Sequence, residues 1–136
     1  MKTFSGKKAF LSNFYRDQEG FCVEHRYQAA KAANDGDRDW ILSAKTPGEA
    51  KRRGRVIQKW DKFEENKFDI MLNLVRQKFA NSELQQMLLD TENEELVEGN
   101  NWGDTYWGVC NGVGENHLGK ILMQVRQEIR DEKPHS

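Results

Sequence analysis

Glu24 and Lys31 stand seven residues apart with Gln28 between them. On a helix that spacing is about two turns, which places a carboxylate, an amide and an amine on one face. A solvated charged stripe is the ordinary meaning of such a pattern. Ala29, Ala30, Ala32 and Ala33 weaken that meaning, because they suit close packing against a neighbour. A Glu and a Lys held in a packed environment have perturbable pKa values. Burial moves a lysine toward the neutral amine that attacks a carbonyl carbon.

A second concentration of chemistry runs from Glu98 to Val109, where Trp102, Tyr106 and Trp107 sit among glycines and asparagines beside Asp104. Glycine lets the backbone approach a ligand closely, and an indole face stacks on a base. A carboxylate among them can steady a cation or activate water. The same residues also suit a tight turn whose tryptophans plug the core, and composition leaves both readings open. Further along, Lys51-Arg52-Arg53-Gly54-Arg55 is a basic cluster. Lys51 and Arg52 read as a solvated helix end favoured by the macrodipole. Arg55, after the glycine, is the candidate for phosphate, which a planar guanidinium binds through two oxygens. Asn111 to Gly119 is a glycine-bearing approach to a helix, a weak anion-site signal that an Asn116 cap explains equally well. His117 reads as exposed and incidental, and Cys110 as packing rather than reactive.

The elements that must carry these groups are mostly helices. Glu24–Asn34 is rich in alanine and straight-chain residues. Asp35-Gly36 reads as a break, followed by a short helix over Asp37–Ala44. Thr46-Pro47-Gly48-Glu49 combines a cap, a proline suited to the first helical position and a reciprocal capping glutamate. Asp61 caps a helix with Phe68, Met71, Leu72, Val75 and Phe79 on one face. Ser82 and Gln85 open another, which ends near Asp90. The last helix starts near Asn116 and aligns Leu118, Ile121, Leu122, Val125 and Ile129. Strand candidates are Lys8–Leu11, Phe21–Val23 and Glu95–Val97. The expected fold is mainly α, a single compact domain over 1–136 with a few short β-strands. Non-helical segments at 10–15 and 98–115 are the places for a ligand site.

At 136 residues the chain fits one such domain and can bury a core without staples. Charged residues make up 32%, yet 7 Phe, 4 Trp and 3 Tyr argue against disorder. A net charge of -1 disfavours a non-specific polyanion binder. The 2 Cys form no CxxC pair and the 3 His are scattered, so neither a disulfide framework nor a metal site can be written. No apolar run approaches the ~20 residues of a membrane span. The first residues lack a signal-peptide core, and a cytoplasmic location is the expectation.

In chain order these segments resemble the NADAR family, which includes the YbiA-like N-glycosidases. The matching blocks are Leu11 to Phe14, Glu24-His25 with Gln28-Ala29 and Lys31, and Thr46-Pro47 through Ala50 to Gly54-Arg55. They continue through Trp60, Met71, Lys78-Phe79, Leu96 to Glu98, Asp104 with Trp107-Gly108, and Asn116 through Leu118-Gly119 and Leu122-Met123 to Arg126. The match covers about 8–130. The stretch before Glu24 is shorter than in many members, and Trp102 falls outside the pattern.

The resemblance implies a YbiA-like helical domain and cleavage of the C1'–N bond between a phosphorylated ribose and a base. It associates two substrates, ADP-ribose on guanine in nucleic acid and the ribosylamino-pyrimidine phosphates of riboflavin synthesis, with the former preferred here. It implies Glu24, Lys31 and Asp104 as catalytic groups, with Lys31 able to form a Schiff base with an opened sugar. Asn13, Phe14, Arg55, Trp60, Trp107, Gly108 and Asn116 would bind substrate. No cofactor, metal or membrane is implied. A module that binds ADP-ribose or a nucleotide without cutting it is the competing class.

Overall fold

The computed structural model describes residues 4–132. Two compact units divide them, one made of Asn13–Leu74 and the other of the flanking segments up to Ser12 and from Val75 onward. Among the described residues are six α-helices, a short 3-10 helix and two two-residue strands.

In the Asn13–Leu74 unit, α1 (Val23–Ala30), α2 (Asp35–Leu42) and α3 (Pro47–Gly54) precede α4, which begins at Phe63 and runs to Lys78. The Thr46 hydroxyl accepts from the Glu49 N–H at 3.1 Å, as the capping motif requires. Glu49 reaches back one residue further than the motif predicts, accepting from the Lys45 N–H at 3.2 Å. Asp35 and Gly36 form the first turn of α2 rather than a break. The cause is Asn34, whose side chain accepts from the Asp37 N–H and so starts the helix two residues early. Helix α1 likewise stops at Ala30, short of Asn34. Ala29, Ile41, Ala44 and Ala50 form a core cluster in which small residues let α1, α2 and α3 pack closely.

In the other unit, the 3-10 helix Gly6–Leu11 stands where a strand was expected. It buries Phe10 and Leu11, and Phe10 meets Phe79 edge-to-face with ring centroids 6.4 Å apart. The helix α5 (Ser82–Leu89) is capped by Asn81, not Ser82: the Asn81 side chain accepts from the Glu83 and Leu84 N–H groups. Helix α6 (His117–Glu132) buries Leu118, Ile121, Leu122, Val125 and Ile129, the whole expected stripe. Burying each such side chain stabilises the fold by about 1.5–3 kcal/mol.

The expected strands at Phe21–Val23 and Glu95–Val97 do not form. Cys22 makes only an isolated bridge to Arg16 before α1 begins. The sheet consists of β1 (Gly99–Asn100) and β2 (Val109–Cys110), parallel, with Gly99 opposite Val109. No described helix is long and apolar enough to cross a membrane.

Candidate active site

The Asn13–Leu74 unit holds Asn13, Phe14, Glu24, Lys31, Arg55 and Trp60. Helix α1 starts with an N–H donated by Glu24 to the Asn13 carbonyl at 2.9 Å. That bond ties the Leu11–Phe14 segment to the catalytic candidate. The Cys22 thiol donates to the same carbonyl at 3.5 Å. The Asn13 side-chain N–H meets the Met71 sulfur at 3.5 Å, and its Oδ1 is buried without a hydrogen-bond partner.

Glu24 is 7% exposed and its Oε1 accepts from Gln28 Nε2 at 2.8 Å. Burial pushes its carboxyl above the usual carboxylate range; the Gln28 hydrogen bond and the charges of Lys51, Lys31 and His25 pull the other way. Lys31 is the C-cap of α1, its ammonium 5.5 Å from the Tyr27 ring centroid. Burial lowers it below the usual lysine range, against the opposing pull of Glu24, while the charges of Lys59 and Arg55 lower it further. The two groups are thus displaced toward each other: a carboxyl that keeps its proton longer and an amine that gives its proton up sooner.

The end of α1 is held by Trp60. Its indole N–H donates to the Ala30 carbonyl at 2.8 Å and its backbone N–H to the Lys31 carbonyl at 3.1 Å. The ring sits edge-on to Phe63 and remains 36% exposed. Phe14 is exposed, with the Lys51 ammonium 6.0 Å from its ring centroid. Arg55 is exposed at the C-cap of α3. Lys51, which reads from sequence as a solvated helix end, lies over the Phe14 ring and acts on Glu24 through its charge. A basic residue in the last turns of a helix has an ordinary electrostatic explanation, and its proximity to Phe14 and Glu24 is a tertiary fact.

The other unit holds Asp104, Trp107, Gly108 and Asn116. Asp104 Oδ1 accepts from the backbone N–H groups of Tyr106 and Trp107, at 3.1 and 2.9 Å. Buried Asn100 accepts from the N–H groups of Trp102 and Asp104 and donates to the carbonyls of Asp104 and Val109. Hydrogen bonds therefore set this turn, and Trp102 does not plug the core; it is exposed. Trp107 is half-buried and edge-on to Tyr106, whose ring also packs against a half-buried His117 at 4.4 Å. A Cβ at Gly108 would overlap the Glu98 carbonyl and lie 2.8 Å from Asn100 Nδ2, so the strand pairing requires glycine there.

Asn116 is buried in the left-handed region, φ 54°. Its Oδ1 accepts from the Glu98 N–H and its Nδ2 donates to the Leu96 carbonyl, at 2.9 and 3.0 Å. It fastens the 96–98 segment instead of capping α6. The first N–H groups of α6, from His117 and Leu118, donate to the carbonyls of Tyr106 and Trp107. An anion arriving there would compete with bonds already made, so the Asn111–Gly119 approach acts as a splice between loop and helix.

A mainly helical domain bearing a buried, proton-retaining carboxyl and a burial-lowered lysine on one helix has the groups of an acid–base and nucleophilic enzyme. The comparisons with known proteins make the assignment specific. The chain matches the NADAR domain over residues 2–130 and belongs to the NADAR family. It is 41% identical over 119 residues to an N-glycosidase of Nostoc punctiforme, covering 80% of this chain and 74% of that protein. It is 36% identical to N-glycosidase YbiA of Shigella boydii, over 81% of this chain and 71% of that one. A riboflavin biosynthesis protein of Vibrio vulnificus is 35% identical over 93% of this chain, which spans only 37% of that longer protein. The NMR structure of E. coli YbiA matches with a TM-score of 0.84 and 30% identity, covering 99% of this chain and 88% of that chain.

Proposed function

We propose that this chain is an N-glycosidase that hydrolyses the C1'–N bond between a phosphorylated ribose and a base, with ADP-ribose on guanine in nucleic acid as its substrate. The observation that carries the reading is the pairing on α1 of Glu24, whose carboxyl burial raises, with Lys31, whose amine burial lowers. A module that only binds its ligand has no use for that pairing. The N-glycosidase names of the Nostoc and Shigella relatives agree with the reaction type.

In the proposed mechanism, protonated Glu24 gives its proton to the ring oxygen as the C1'–O4' bond breaks. The base nitrogen supplies the electron pair that makes an open-chain iminium at C1'. The neutral Lys31 amine adds to C1', and the C1'–N bond to the base then breaks, the base leaving with a proton from Lys31. Glu24, now a carboxylate, takes a proton from the water that hydrolyses the Lys31 imine. One water is consumed, the amine is regenerated and the aldehyde recloses on its hydroxyl. Arg55 and Lys51 supply cationic partners for phosphate, while the exposed rings of Phe14 and Trp60 offer faces to sugar or base. In this reading Asp104 and Asn116 position the 98–108 turn within their own unit.

A second substrate class, the ribosylamino-pyrimidine phosphates that the family resemblance implies, has a specific observation in its favour: the Vibrio relative is named a riboflavin biosynthesis protein. The deciding experiment offers the protein an oligonucleotide carrying ADP-ribosyl-guanine and, separately, a ribosylamino-pyrimidine phosphate, and follows the released sugar by mass spectrometry. Release from the first substrate by wild type and not by Glu24→Gln is expected. Release from the second alone would transfer the assignment to riboflavin intermediates. Saturable ADP-ribose binding with no release from either would make the chain a binding module. Borohydride added during turnover should leave a reduced sugar adduct on Lys31; turnover without an adduct would indicate direct hydrolysis.

A further inference from the structure

Gln28 is where α3 comes down onto α1. Its side chain is 4% exposed, its Nε2 donates to Glu24 Oε1 at 2.8 Å, and its Oε1 is buried without a hydrogen-bond partner. Gly54, the last residue of α3, is buried against this amide. A Cβ at that position would overlap Gln28 Oε1, stand 2.8 Å from Cδ and come within 3.2 Å of Gln28 Cβ. The amide is therefore pressed flat by a backbone that only glycine can bring so near. An orphaned buried carbonyl oxygen costs free energy and calls for an explanation. The one gain visible for this orientation is the hydrogen bond to Glu24.

We propose that Gln28 is the positioning residue for Glu24: wedged beneath Gly54, its amide fixes the carboxylate rotamer through Oε1 and leaves Oε2 as the oxygen that exchanges a proton with the substrate. The inference rests on the proton-handling role given to Glu24 above. The wedge also sets the form in which Glu24 works. An N–H donated to a carboxylate favours its charged state, and here it adds to the fields of Lys51 from α3 and of Lys31 and His25 from α1, all opposing burial. The other charges on the helices packed with α1 are paired or exposed: on α3, Glu49 pairs with Arg53, and Arg52 and Arg55 are exposed. On α2, Asp35 pairs with Arg38 and Asp37 with Asn34, and Asp39 is exposed. On α4, Glu64 pairs with Lys59 and Lys67.

The test titrates the Glu24 carboxyl carbon by NMR in the free protein, in wild type, Gln28→Met and Gly54→Ala. Gln28→Met keeps the volume and removes the amide; Gly54→Ala keeps the amide and drives a methyl into it. Glu24 is expected to titrate about one pH unit higher in Gln28→Met and to move the same way in Gly54→Ala. At a given pH on the alkaline limb that is about tenfold more of the protonated form that gives its proton to the ring oxygen. The kcat on that alkaline limb should rise by a similar factor, with KM within about twofold of wild type. Unchanged titration in a folded Gln28→Met protein overturns the proposal. Should that variant fail to fold, the Gly54→Ala titration decides alone, and an unmoved Glu24 there overturns it as well. Failure of wild type to release sugar from any N-glycoside would sink the enzymatic reading, yet the Glu24 titration would still report on Gln28.

Discussion

The two regions that gather the chain's ionisable and aromatic residues treat their polar groups in opposite ways. Along α1, Glu24 is buried and Lys31 at its end half-buried, and both are displaced from their ordinary protonation. In the 98–108 turn, Asn100 and Asp104 spend their side chains on backbone groups. Burying a charge without full compensation costs stability, and the α1 face bears that cost. The turn bears little, since its polar atoms replace water with N–H and carbonyl partners. The comparison separates polar groups shifted by burial from polar groups whose bonds hold a shape, although both look equally rich in chemistry when read as sequence.

The sharpest way to break this distinction is at Glu24. Glu24→Gln keeps the shape and removes the proton, so kcat should fall by about 10²–10⁴-fold. Near-normal turnover would put the chemistry elsewhere. Asp104 supplies the matching test. Asp104→Ala removes the acceptor of two backbone N–H groups and should cost about 1–2 kcal/mol in urea unfolding. Asp104→Asn retains an acceptor oxygen, so its activity should stay within several-fold of wild type. A loss as deep as that of Glu24→Gln would show that the turn's carboxylate reacts after all.

A pH series sharpens the same contrast. The folded Glu24 carboxyl titrates above its unfolded value, so its contribution to stability is full below about pH 4.3 and is lost as pH rises through the folded value. Urea unfolding should therefore show Glu24→Gln gaining on wild type as pH is raised from about 4 to 8. Glu64 behaves in the reverse sense. Hydrogen bonds from Lys59 and Lys67 hold it at about 2, so its contribution is present above the usual carboxylate range and disappears as pH falls toward that value. Its side chain is more than half exposed, and screening limits the effect of Glu64→Gln to about 0.5 kcal/mol at neutral pH. A larger change would mean that the Lys59–Glu64–Lys67 cluster supports Lys31.

The helices were legible because their signals are local. Thr46, Pro47 and Glu49 announce a start within four positions, and the stripe from Leu118 to Ile129 is periodic over a long run. The strands were not. A pair of two-residue strands has no periodicity to detect, and β1 meets β2 only because Gly108 lets the backbone close on Glu98. The Lys8–Leu11 segment misled because a 3-10 turn with two buried apolar residues looks, over four letters, like a short strand. Sequence does not separate Asn81 from Ser82 as the cap, because both are good caps by type. In the site, the shared face of Glu24, Gln28 and Lys31 followed from spacing alone. The approach of Lys51 to Phe14 and of Gly54 to Gln28 is tertiary, and no local pattern encodes it.

Trp60 ties off the carboxyl end of α1 twice, with its indole and with its own amide. One consequence is spectroscopic. The indole N–H is hydrogen-bonded to a carbonyl in the very turn that ends in Lys31, so its emission is coupled to whether that turn is closed. A chain in which Trp40, Trp102 and Trp107 are replaced by Phe would keep this single indole. Its emission maximum and quenching would then report on the helix end that carries the amine.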